Sequence, residues 1–188
     1  MKISFPVTTN QLDVHLFWLE FIPANFYSDF ISSALVDFIS DSDTIDSLFN
    51  AIQAAHLIEL ADKSCQISLD QNSLCLLKKN KWTIRGDSLG LATYLLYCWH
   101  KYPNIQDVES ITATGALRYS DEGSIYIDIV SNIREKISST IAIASNLNNH
   151  AIIIPIQQKN EVLGLRYSEN IKLFGINHDL QLVPIYCE

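Results

Sequence analysis

Hydrophobic and polar positions follow two rhythms along this 188-residue chain. Residues 12–22, "LDVHLFWLEFI", are dense in aromatic and branched side chains and predict a strand. After Pro23, Phe26, Phe30, Ile31, Ala34 and Phe38 recur at helical spacing and predict a helix. The Ser/Asp cluster "SDSDTIDS" predicts the cap of a second helix that runs to about Ala61. "SCQISLDQNSLCLLKKNKWTI" reads as short strands with a turn near "DQNS". "SLGLATYLLYCWHKY" is a strong helix signal, stopped by Pro103.

The second half has a different texture. "VESITATGALRYS" and "GSIYIDIV" predict two strands joined at "DEG". Residues 131–147 predict an amphipathic helix with Ile133, Ile137, Ile141 and Ala144 on one face. "NNH" breaks it, "AIIIPI" has the character of a buried strand, and residues 161–188 leave room for a short strand or two. The chain shows no internal repeat, low-complexity segment or linker. The expected architecture is a single mixed α/β domain over residues 1–188.

Composition narrows the classes. Hydrophobic residues make up 48% and charged residues 18%, the balance of a chain that buries a core. The net charge is −8 and the basic residues are scattered, which predicts neither a nucleic-acid footprint nor a polybasic membrane patch. No apolar run has membrane-spanning length. The four cysteines, Cys65, Cys75, Cys98 and Cys187, contain no CxxC pair and predict no zinc site. The N-terminus lacks the order of a signal peptide, so the expectation is a cytoplasmic protein with reduced, mostly buried thiols.

"RGDSLGL", residues 85–91, carries the chemistry. On local grounds Ser88 is first a helix N-cap. The same geometry suits a nucleophile, because a helix start offers free N–H groups and a positive dipole end to an oxyanion. Gly86 and Gly90 would let a substrate backbone approach. Ser88 then needs a base. None of the five histidines, His15, His56, His100, His150 and His178, has a recognisable catalytic setting, and each reads as a surface or satisfied core residue. Lys136 is the other candidate. At about 100° per residue it lies beside Thr140 and next to Ile133, on the edge of the apolar stripe. Loss of hydration there would lower its pKa and let it act as a neutral base. The competing reading is an exposed lysine whose stem covers apolar surface. "DSDTID" reads as a solvated helix start, and Trp18, Trp82 and Trp99 as core or interface residues.

Four short segments come in an order that resembles the catalytic domain of Lon protease: "GDSLG", "ATGALR", "IREKI" and "IIIPIQQKNEV". That family places its serine in a "GPSAG" or "GDSA" turn. A "TGE" or "TGS" segment follows, then a lysine in a "GGLKEK" or "GGVxxK" helix start, then a "VLIP" strand. The resemblance covers about residues 84–162. Residues 1–80 are matched only by their strand-then-helices order. It implies a Lon protease-type domain with the ribosomal protein S5 domain 2-like fold. It also implies a Ser88–Lys136 dyad, with the Thr114 hydroxyl bonded to the lysine and orienting it. The substrate would be an unfolded or flexible polypeptide, the domain would self-associate as a homo-oligomer, and no cofactor or metal is implied.

The chain departs from the family at several positions. Ser131 and Asn132 stand where two glycines are usual, Ala116 replaces the acid of "TGE", Arg85 replaces an acid, and Leu89 replaces a small residue beside the serine. No GxxxxGK[ST] is present, so an ATPase motor, if one serves this domain, would come from another chain. Two alternatives follow. One is a Lon-like domain with reduced catalysis that serves as an assembly or binding module. The other is a small-molecule kinase of the GHMP type, to whose phosphate loop "GDSLG" is a poor fit.

Overall fold

The computed structural model describes residues 1–8, 13–23, 30–57, 65–86, 88–119 and 124–186. A seven-stranded mixed sheet carries most of them. Its strands are β1 (Lys2–Thr8), β2 (Val14–Pro23), β3 (Cys65–Leu69), β4 (Ser110–Ala113), β7 (His150–Pro155), β8 (Ile171–Ile176) and β9 (Leu182–Pro184). Their order across the sheet is β3-β2-β1-β4-β7-β8-β9. The centre, β1-β4-β7-β8, is parallel, and antiparallel pairs close both sides. Two strands, β5 (Ala116–Tyr119) and β6 (Ile125–Asp128), form a separate antiparallel hairpin.

Both faces of the sheet are covered, which explains why β7 is buried at every position. Ile111, Ala113, Ala151 and Ile153 point into one core with α2 (Ser42–Leu57) and α4 (Leu89–Cys98). Ile152, Ile154, Ile171 and Leu173 point into a second core with α5 (Ile133–Ala144). Alternate residues of one strand thus serve two helix layers. The mixed α/β expectation holds at this level, and no helix among the described residues is long and apolar enough to cross a membrane.

Three local expectations are corrected. The helix predicted after Pro23 is reduced, within the described residues, to α1 (Ser33–Val36), capped by the Ser32 hydroxyl; Phe26 lies outside them. Phe30 and Ile31 are extended, bonded to the edge strand β3 through Ile67. Their helical spacing lost to a backbone partner that only the fold supplies. The "DQNS" turn is instead the start of α3 (Gln71–Asn80), with the Asp70 carboxylate accepting from Ser73 N–H at 2.8 Å. Turn and cap use the same side-chain chemistry, so the two readings compete on identical residues. The strand predicted over 108–120 breaks at Thr114-Gly115, where the chain leaves the main sheet for the hairpin. The buried-thiol expectation holds for Cys98. Cys65 is half-buried, Cys75 is exposed, and Cys187 lies outside the described residues. Burial pushes the Cys98 thiol up to about 12.

Gly90 has a role the sequence did not suggest. A Cβ there would sit 2.1 Å from Ser47 Oγ and 3.0 Å from the Ser47 carbonyl oxygen of α2. The glycine lets two helices touch and does not face a substrate. Gly90→Ala is expected to destabilise the protein by about 1–3 kcal/mol through overpacking. Ser47→Ala should restore part of that, because it removes the nearest atom and leaves the carbonyl, and urea unfolding of the two single variants and the double variant would check both.

Candidate active site

Ser88 sits at the N-cap position of α4 in αR conformation, and its side chain makes no capping hydrogen bond. It is bonded elsewhere: Lys136 Nζ donates to Ser88 Oγ at 3.1 Å, across 48 residues of sequence. Both residues are buried, Ser88 at 7% and Lys136 at 8% exposure. The two come from helices on opposite faces of the sheet and meet beyond the carboxyl ends of β4 and β7. Ligands of parallel sheets bind at those strand ends.

Lys136 lies inside the buried stripe of α5 rather than on its edge, since Ile133, Lys136, Ile137, Thr140 and Ala144 are all buried. It belongs to the first turn, with its N–H bonded to Asn132 O at 3.0 Å. Asn132 has φ 55°, in the left-handed region. That explains one departure from the family pattern, because asparagine is among the few side chains that adopt this conformation readily. Leu89, the second suspect departure, is fully buried in the core and leaves the serine–lysine contact intact.

The loop that presents Ser88 is clamped by α2. Asp41 accepts from Thr44 N–H at 2.9 Å and from Gly86 N–H at 3.3 Å. Thr44 Oγ1 lies 2.9 Å from Asp41 Oδ1 and 3.0 Å from Gly86 O. Asp41 therefore caps α2, as the Ser/Asp cluster predicted, and together with Thr44 it also braces the serine turn, which the sequence did not suggest. Gly86 itself has φ 82° and open space where a Cβ would point, so the turn requires glycine for its backbone. Asp87 lies outside the described residues. Asp41→Ala is expected to cost about 1–2 kcal/mol as a lost cap, read as a lower denaturation midpoint, whereas Asp41→Asn, which keeps an acceptor, should retain more than half of that.

Thr114 lies at the end of β4, where its N–H bonds Ile153 O at 3.1 Å. The next residue binds the helix that begins after Ser88: Leu91 N–H donates to Gly115 O at 3.0 Å. A Cβ at Gly115 would be a tight fit, with Leu91 Cδ2 at 3.0 Å and Pro155 Cγ at 3.3 Å, so these side chains would have to give by a few tenths of an ångström. The Thr114 hydroxyl is buried and has no hydrogen-bond partner among the described residues. The Thr114–Lys136 bond that the resemblance implies is thus not formed in this structure.

Of the histidines, His150 is a satisfied core residue. Its ring is bonded to Ser110 Oγ at 2.7 Å and to Thr112 Oγ1 at 2.9 Å, and Thr112 continues to Ser4 Oγ at 2.8 Å. The register explains this: Ser110 faces His150 on the neighbouring strand, and Thr112 is two residues on, on the same side. Burial lowers its pKa to about 4.

Gln158, which the sequence did not single out, is buried at 3% exposure beside the start of α5. Its Oε1 accepts from Val130 N–H at 2.9 Å and its Nε2 donates to Val130 O at 2.8 Å. No family model matches the chain, and no curated protein matches it.

Proposed function

We propose that this protein is a serine peptidase with a Ser88–Lys136 dyad, a divergent Lon-type domain that cleaves unfolded or flexible polypeptides and lacks its own ATPase motor. One observation carries the reading: a buried lysine amine reaches the hydroxyl of a serine that stands at a helix start and does not cap that helix. Burial disfavours the charged ammonium, and only the neutral amine can accept a proton. The Lys136 amine would take the Ser88 proton as the hydroxyl attacks a carbonyl and return it to the leaving amine as the peptide C–N bond breaks. It would then take a proton from the water that hydrolyses the resulting Ser88 ester and return it to Ser88 Oγ. First-turn N–H groups of α4 would hold the oxyanion. That of Leu91 is not among them, being spent on Gly115 O. The unpartnered Thr114 hydroxyl fits an orienting role taken up when the site engages substrate.

The resemblance further supports a homo-oligomer, with polypeptide substrates and a motor, if any, on a separate chain. The test is labelling with a fluorophosphonate, which reacts with activated serines. Modification of wild type at Ser88, lost in Ser88→Ala, supports the dyad. Equal labelling of both overturns it.

A second reading has its own observation. At 7% and 8% exposure, both dyad groups are nearly closed to solvent. A Lon-like domain with reduced catalysis, acting as an assembly or binding module, would look like this. Robust Ser88-dependent cleavage of an unfolded polypeptide would rule it out.

A further inference from the structure

We infer that Gln158 is a positioning residue for Lys136: its side-chain amide, paired on both sides with the Val130 peptide, fixes the start of α5 and so the reach of the lysine to Ser88. The inference rests on the dyad reading above.

The geometry is that of a strand pair made by a side chain. Oε1 and Nε2 of Gln158 meet Val130 N–H and C=O at 2.9 and 2.8 Å, and Nε2 also donates to Glu161 Oε1 at 3.0 Å. The pairing lies three residues before α5 begins. Between them stands Asn132, in the left-handed conformation, whose carbonyl accepts the Lys136 N–H. Any shift of Val130 therefore passes through a single left-handed joint to the root of the lysine.

The same segment grips the chain on either side. Gln157 Nε2 donates to Ile127 O at 3.3 Å. Arg134 Nη1 donates to Glu161 O at 2.6 Å and to Leu163 O at 3.3 Å. Residues 157–163 thus hold the stretch from Ile127 to Arg134 at three points. Filling space does not require an amide, since a leucine of similar size would pack without the cost of desolvating polar atoms. What the amide adds is direction. A lysine stem has four rotatable bonds, and its amine stays within hydrogen-bond reach of a hydroxyl only if its root is fixed.

The experiment uses the intact protein and a fluorophosphonate, and reads the second-order rate of Ser88 labelling from neutral to alkaline pH. Gln158→Leu is expected to slow labelling about 10- to 100-fold at neutral pH, the cost of misplacing a catalytic group by about an ångström. The inflection of the pH–rate profile should also move from its wild-type position, as water enters around a loosened amine. The KM for an unfolded polypeptide should stay within about twofold, because no substrate contact is removed. Gln158→Met keeps the length and carries no charge but loses both bonds to Val130. It should show the same move of the inflection, and it replaces the leucine variant if that fails to fold. If rate and inflection match wild type while only the melting temperature falls, Gln158 is a stability residue, the inference is overturned, and the dyad stands. If wild type is not labelled at Ser88, the dyad reading fails and takes the positioning role with it.

Discussion

Replacing Ser88 with alanine is expected to abolish cleavage of an unfolded polypeptide, lowering kcat by roughly 10⁴-fold or more, the scale seen when a covalent nucleophile is removed. Lys136→Met should cost nearly as much, because the amine that takes and returns the proton is replaced by a group of similar shape. The two losses should not add: Ser88→Ala with Lys136→Met should be no slower than either variant alone, as groups that act as a unit behave. Lys136→Arg separates charge from basicity. A guanidinium stays protonated, so it cannot act as the base even where it fits. Activity retained in Lys136→Arg would show that the lysine serves as a fixed charge and would overturn the general-base assignment. All variants should keep the wild-type far-ultraviolet circular dichroism, and Lys136→Met is expected to be about as stable as wild type, because a buried polar amine is replaced by an apolar side chain of similar shape.

The second large effect concerns stability. The protein should lose resistance to urea as pH falls from about 6.5 to about 4, with His150 as a principal cause. In the unfolded chain this imidazole takes up a proton below its ordinary pKa of 6.5, whereas in the fold burial depresses the value to about 4. Between the two the unfolded state binds the extra proton, so unfolding is favoured. Above neutrality both states are neutral and His150 contributes no slope. Each unit of difference is worth about 1.4 kcal/mol, so the gap corresponds to about 3 kcal/mol in full, with about 2 kcal/mol already lost near pH 5. His150→Gln, which retains a donor and an acceptor for Ser110 and Thr112, should be less stable at neutral pH but show a flatter acid limb. An unchanged acid limb in that variant would assign the loss to carboxylates instead.

The acid effect and the dyad share one architectural fact. Ser4, Thr112 and His150 lie on the face of the sheet turned toward α5, the helix that carries Lys136. Polar groups on that face are tolerated because each is bonded to its neighbour. The unpartnered Thr114 hydroxyl, at the end of the same strand, departs from that rule. It stands where the reaction is proposed to occur, and it shares the lack of a partner among the described residues with Thr8, Thr93, Tyr97 and Tyr119.

What the sequence by itself determined was local and periodic. "AIIIPI" read as a buried strand, "SLGLATYLLYCWHKY" as a helix, and the spacing of Ile133, Ile137, Ile141 and Ala144 as the inward face of α5, of which Ile141 is only half-buried. It also raised Ser88 and Lys136 as candidates, a serine at a helix start and a lysine beside an apolar stripe. On local grounds these read first as a helix cap and a surface lysine, and it was the resemblance to the Lon domain that paired them. Tertiary structure decided the rest. Phe30 and Ile31 became extended because β3 offered them a backbone ladder. Residues 71–80 became a helix because Asp70 was free to cap rather than turn. The hold of Asp41 on Gly86 and of Gln158 on Val130 escaped notice for one reason: those partners lie 45 and 28 residues away and are backbone atoms, which carry no sequence signal. The meeting of Ser88 and Lys136 is of the same kind. Periodicity fixes which way a side chain faces on its own element, but only the packing of two helices on opposite sides of one sheet brings their ends together at 3.1 Å.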